Sequence, residues 1–100
     1  MRPNLTDRRQ RTERRLFDVS ARLNRAREEL EVIEAQFDAL AEQAEEAKVR
    51  AVVAETPLAV QAWTEAQRHV DRMAHTREAA RRSIAELERA QDELIGELLA

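Results

Sequence analysis

From Leu16 onward the apolar residues fall at alternating steps of three and four: Leu16, Val19, Leu23, Ala26, Leu30, Ile33, Phe37, Leu40, Ala44, Ala47 and Ala51. A second series repeats the pattern with Trp63, Ala66, Val70, Met73, Arg77, Ala80, Ile84, Leu87, Gln91, Leu94 and Leu98, in which Arg77 and Gln91 are the polar members. An α-helix closes a turn every 3.6 residues, so such steps keep one narrow stripe on one side. Sustained over many turns, the stripe predicts a coiled-coil seam and not merely an amphipathic surface helix.

The two series are separated by Thr56-Pro57. A threonine hydroxyl can accept a free backbone N–H of the turn that follows it, and proline suits the first helical position, where its missing N–H costs nothing. The residue before a proline also disfavours helical geometry. These signals predict a helix over 7–54, a turn at 55–56, a helix over 57–99 and a flexible start over 1–6. The fold class expected is all-α: a two-helix antiparallel coiled-coil hairpin, two copies of which could pair into a four-helix bundle.

A two-residue turn fixes the register. Facing residues should have numbers summing to about 110, which sets seam positions opposite seam positions throughout. Ala47 then meets Trp63, Leu40 meets Val70, Phe37 meets Met73, Ile33 meets Arg77, Leu23 meets Leu87 and Leu16 meets Leu94. Charge agrees with this direction. Residues 1–15 carry a net +4 and lie beside residues 85–100 at −4, while residues 28–55, at −7, lie beside Arg68, Arg72, Arg77, Arg81 and Arg82. One local misfit follows, because Arg27 and Arg81 come close.

Composition narrows the class further. The 100 residues hold three aromatic side chains, Phe17, Phe37 and Trp63, and one glycine, Gly96, with charged residues at 37%. Large rings and branched side chains usually fill a rounded core, so this supply suits long helices better. The absence of cysteine excludes disulfides and thiolate metal sites. The longest uninterrupted apolar run, Ala51-Val52-Val53-Ala54, is far short of a membrane span or a signal-peptide centre, which makes a cytoplasmic location the expectation. Sixteen arginines against the single Lys48 suggest a GC-rich bacterial genome.

No arrangement with catalytic chemistry emerges, and no cofactor or metal is expected. There is no glycine-rich phosphate loop, no nucleophile elbow and no His-Glu-x-x-His. Asp71 and His75 are four apart and could share a ligand, but two groups on one exposed turn make a poor metal site. Ser20 and Ser83 lack a base in an enclosed pocket.

Three groups of residues are candidates for binding. Near the turn, Val49, Val52, Val53, Leu58 and Val60 exceed what a two-helix end can cover, and Trp63 lies just beyond, so a partner-binding patch is expected there. A weaker second stripe, Val32, Ala35, Ala39, Val49 and Val53, lies outside the seam on the first arm. Phe17, Ile95 and Leu99 form another leftover patch at the opposite end. Arg8, Arg9, Arg11, Arg14 and Arg15 are candidate phosphate contacts. Against that use, the segment has no aromatic residues interleaved for stacking bases, and Arg14 and Arg15 could instead pair with Glu93 and Glu97. Arg77 is the polar seam residue. It acts either as a layer that fixes register or as a mark where the seam opens for an anionic ligand, and its guanidinium is expected to reach Glu34 or Glu29.

The hairpin outline resembles the WXG100 proteins, which carry a tryptophan at the turn. Trp63, however, follows the turn and precedes Thr64-Glu65, so the Trp-x-Gly motif is absent. Coiled-coil fingers that enter RNA polymerase resemble the shape but have acidic tips, where this turn reads Val-Val-Ala-Glu-Thr-Pro-Leu. Neither family is assigned. The function expected is a non-enzymatic protein–protein interaction module, a small adaptor, regulator or anti-factor, whose partner is another protein or a second copy in a homodimer. The alternatives are a nucleic-acid or ribosome-associated protein using the arginine-rich start, and a structural subunit of a helical assembly.

Overall fold

The computed structural model describes residues 4–100. Two α-helices, α1 over Leu5–Ala54 and α2 over Pro57–Leu99, pack against each other as a hairpin, and no strand occurs among the described residues. The first three residues of the expected flexible start lie outside the described residues. Leu5 and Thr6 belong to the helix, which begins at Leu5. The cause is Asn4. Its side-chain Oδ1 accepts the Asp7 backbone N–H at 2.8 Å, satisfying one of the donors that the first helical turn leaves open.

The turn between the helices uses two residues with opposite duties. Glu55 has φ 53°, in the left-handed region, and its N–H donates to the Ala51 carbonyl at 3.0 Å, which closes the end of α1. Glycine is the usual occupant of such a cap because it has no Cβ to clash. Thr56 then starts α2. Its Oγ1 accepts the Ala59 N–H at 3.2 Å and its carbonyl accepts the Val60 N–H at 3.1 Å, with Pro57 at the first helical position.

Every residue of the two expected seam series is at least partly shielded from solvent, and six of them, Leu23, Ala44, Ala47, Ala51, Ile84 and Leu94, are buried. The chain divides into two compact units, one formed by the segment up to Glu28 with Arg81–Ala100, the other by Glu29–Ala80. In the first, large aliphatic side chains supply the core: Leu23, Ile84 and Leu94 are buried, with Leu23 only 1% exposed. Full burial of a leucine is worth about 1.5–3 kcal/mol, so these layers hold this unit together. Side-chain hydrogen bonds also cross the same seam. Gln91 Nε2 donates to Ser20 Oγ at 3.1 Å, and Thr12 Oγ1 donates to Glu97 Oε2 at 3.5 Å. The paired numbers sum to 111 and 109, the register that the short turn dictates.

In the second unit the buried positions are alanines, Ala44, Ala47 and Ala51, while Leu30, Ile33, Phe37, Leu40, Trp63, Val70 and Met73 are half-buried. A helix end covered on one side only can enclose small side chains completely and large ones in part. The turn unit therefore encloses its large side chains less completely than the other unit does. It also leaves apolar residues uncovered near the turn.

Candidate interaction surfaces

Those leftover residues gather around the turn. Val49, Val52, Val53, Leu58 and Val60 are all exposed, Val53 to 79% and Leu58 to 76%. The helices force this outcome. At the last turn of α1 and the first of α2, only the Ala51 and Ala59 sides are shielded, so the neighbouring valines and Leu58 point to solvent. Trp63 is half-buried. With Val60, Thr64, Gln67, Arg68 and Asp71 it lines an open groove of about 320 Å³. Its ring is thus shared between the seam and a surface depression.

The outer stripe of α1 is exposed as well, including Val32, Ala35 and Ala39. Charge in this unit is lopsided: residues 29–80 hold eleven acids and five bases, a net −6. The other unit holds nine acids and twelve bases, a net +3.

In that other unit, the arginines of the α1 start are exposed. Arg9 pairs with Glu13 at 3.2 Å on the same helix. No ion pair to Arg8, Arg11, Arg14 or Arg15 occurs among the described residues. The pairing of Arg14 and Arg15 with Glu93 and Glu97 is therefore not formed; Glu97 takes the Thr12 hydroxyl instead. Arg8, Arg11 and Arg15, spaced by three and four, line one side of α1 beside Thr12, around an open cleft of about 360 Å³. A larger cleft of about 440 Å³ adjoins it, with Leu5, Leu98 and Ala100 in its walls. Phe17, Ile95 and Leu99 are exposed, and so is Leu5 at 82%, which the sequence pattern missed because it precedes the seam and was assigned to the flexible start.

The expected clash of Arg27 with Arg81 is relieved, for Arg27 turns to Glu88, with Nη2 3.8 Å from Oε2. Helical side chains lean toward the N-terminus of their own helix, so on α1 a long side chain reaches away from the turn.

Arg77 is half-buried in the seam. Sequence reasoning sends its guanidinium toward Glu34 or Glu29; the structure lays it over the Phe37 ring, with Cζ 4.0 Å from the centroid. Its Nε is buried without a hydrogen-bond partner. Such a donor costs about 1–3 kcal/mol, and a cation over an aromatic face returns about 0.5–2 kcal/mol, so the layer is close to neutral for stability.

Some polar groups on α2 are spent locally. Gln67 Nε2 donates to Asp71 Oδ1 at 3.1 Å, and Arg72 Nη2 meets His69 Nδ1 at 3.0 Å. No cluster of three or more metal-ligating side chains exists among the described residues, nor a helix long and apolar enough to cross a membrane. Compared with known proteins, the chain matches no family model, no curated protein and no solved structure.

Proposed function

We propose that this chain is a non-enzymatic protein–protein interaction module, of the adaptor, regulator or anti-factor kind, acting through the apolar surface around its turn. The observation that carries the reading is the exposure of Val49, Val52, Val53, Leu58 and Val60 together on one helix end, with Trp63 in the groove beside them. Scattered apolar residues are ordinary on a protein surface, but five exposed branched side chains within the twelve residues 49–60, one of them lining a groove with a half-buried tryptophan, have the make-up of an interface centre. The test is recovery of a partner by the tagged chain from extracts of its host. Val52→Glu with Val60→Glu should abolish recovery while circular dichroism keeps the helical signal. Undiminished recovery by the double variant would remove the turn surface from the reading.

A second reading is favoured by one observation, the absence among the described residues of carboxylate partners for Arg8, Arg11, Arg14 and Arg15. Unpaired guanidinium groups along one helix side can neutralise successive phosphates of a nucleic acid, and each phosphate so engaged steepens the dependence on salt. Retention on RNA or DNA that falls steeply with salt, and is lost in Arg11→Glu with Arg15→Glu, would support it. Retention equal to that of an uncharged control resin would end it.

A further inference from the structure

The outer face of α1 carries a second heptad-spaced stripe: Val32, Ala35, Ala39, Glu42, Glu46, Val49 and Val53, all exposed, with Val32 at 58%. Its steps are three and four, like those of the seam, but it lies on the side turned away from α2. Apolar positions close both ends and two carboxylates sit in the middle. A helix shielded on one face has no use for a second such stripe in isolation.

The same spacing recurs on the outer face of α2: Leu58, Gln61, Glu65, Arg68, Arg72, His75 and Ala79, again all exposed. The centre of this stripe is two arginines. Neither Glu42 nor Glu46 pairs with a cation, and neither Arg68 nor Arg72 pairs with a carboxylate, among the described residues. The chain thus displays two unsatisfied charge pairs of opposite sign at the same four-residue interval, each within a helical stripe of equal length.

We infer that the outer stripe of α1 is a docking surface for the outer stripe of α2 on a second copy of this chain. The two helices run parallel, with Glu42 against Arg68 and Glu46 against Arg72. In this alignment Val32 meets Leu58 and Val53 meets Ala79, so both ends close on apolar pairs. Charge and the apolar ends together decide against the other arrangements. Two α1 stripes laid together in either direction bring the Glu42 and Glu46 carboxylates of both copies to one place, and like charges at helix neighbours repel. An antiparallel α2 can also match both charges, Glu42 with Arg72 and Glu46 with Arg68, but it then sets Val32 against Arg82 and Val49 against Glu65 and loses the apolar ends.

The inference deepens the interaction-module reading by naming the occupant of one face, and it uses neither Val52 nor Val60. The stripe spans about 33 Å of helix at about 1.5 Å per residue, and at a helix width of about 10 Å it offers roughly 330 Å², below the roughly 800 Å² per partner of a standard interface, so the contact is weak. It is also heterologous. Each copy offers one α1 face and one α2 face, and association continues past the dimer as concentration rises.

Sedimentation of the full chain at low salt, from low to high micromolar concentration, tests it. The wild type should gain average mass with concentration. Glu42→Arg with Glu46→Arg, and separately Arg68→Glu with Arg72→Glu, should each weaken association by at least about tenfold. An equimolar mixture of these two double variants should recover it, because the reversed charges match again between copies. Mixed Val32→Cys and Leu58→Cys single variants should form the heterologous disulfide faster than either forms with itself. A wild type that stays monomeric, or association indifferent to both reversals, or no recovery in the mixture, overturns the inference. Partner recovery lost in Val52→Glu with Val60→Glu, together with sedimentation indifferent to the charge reversals, would retain the turn surface while rejecting self-docking; recovery indifferent to the turn variants, with sedimentation that follows the reversals, would retain self-docking alone.

Discussion

The guanidinium carbon of Arg77 sits 4.0 Å from the centre of the Phe37 ring, one layer nearer the turn than the Ile33 that directly faces it in the register. The displacement follows from helix geometry. A side chain on α2 leans toward the N-terminus of α2, which is the turn, and the next seam residue on α1 in that direction is Phe37.

Arg77 should therefore be replaceable without loss of the fold. Arg77→Met keeps a long, flexible apolar stem against Phe37 and removes the buried, unpartnered Nε, so stability should rise by about 1 kcal/mol. Arg77→Ala removes the stem as well and should destabilise by about 1–2 kcal/mol. Urea denaturation of both variants distinguishes the cases; a large loss in Arg77→Met would show that the cation is needed.

The seam should not be uniform in its tolerance. Leu23 is the most deeply buried large side chain, whereas Leu30 and Leu40 are half-buried. Leu23→Ala should cost about 3–5 kcal/mol, and Leu30→Ala or Leu40→Ala nearer about 2 kcal/mol. Equal losses in urea at all three sites would contradict the burial.

The cap of α1 holds a strain that glycine would relieve. Glu55 is in the left-handed region, which costs an L-residue roughly 1–2 kcal/mol. Glycine adds back part of this as unfolded-chain entropy, so Glu55→Gly should stabilise by about 0.5–1 kcal/mol. Glu55→Val should destabilise, because a β-branched residue tolerates positive φ poorly. Thermal melts of the pair provide the check.

The direction and register of the hairpin can be locked covalently. The chain has no cysteine of its own, so cysteines at Leu23 and Leu87, which face each other at a register sum of 110, should oxidise to a disulfide within one chain. Non-reducing electrophoresis showing only cross-linked dimers would indicate helices paired between chains instead.

The seam was legible because each of its positions obeys a local rule, a step of three or four. Even Arg77 and Gln91, polar as they are, keep their places in it. Thr56-Pro57 marked the start of α2 through residue chemistry alone. What escaped the sequence depends on where side chains reach. The lean of Arg77 to Phe37 and of Arg27 to Glu88 is set by the tilt of Cα–Cβ bonds, which spacing arguments ignore. The cap by Asn4 was overlooked beside Pro3, and Glu55 gave no hint of a positive φ because its type does not ask for one. The candidate surface near the turn was visible as an excess of valines, but its division between Trp63 in a groove and valines in the open required the fold.

The two-residue turn also limits how such a gene can change length. With Glu55 and Thr56 alone between the helices, an inserted or deleted codon in one arm swings every residue on its far side by about 100° around the helix axis. Leucines would then be carried off the seam and arginines onto it. Only compensated changes leave the stripes matched, a block of seven in one arm answered by seven in the other. Descendants of this chain should differ from it in whole heptads gained or lost in both arms together, while the free ends vary residue by residue.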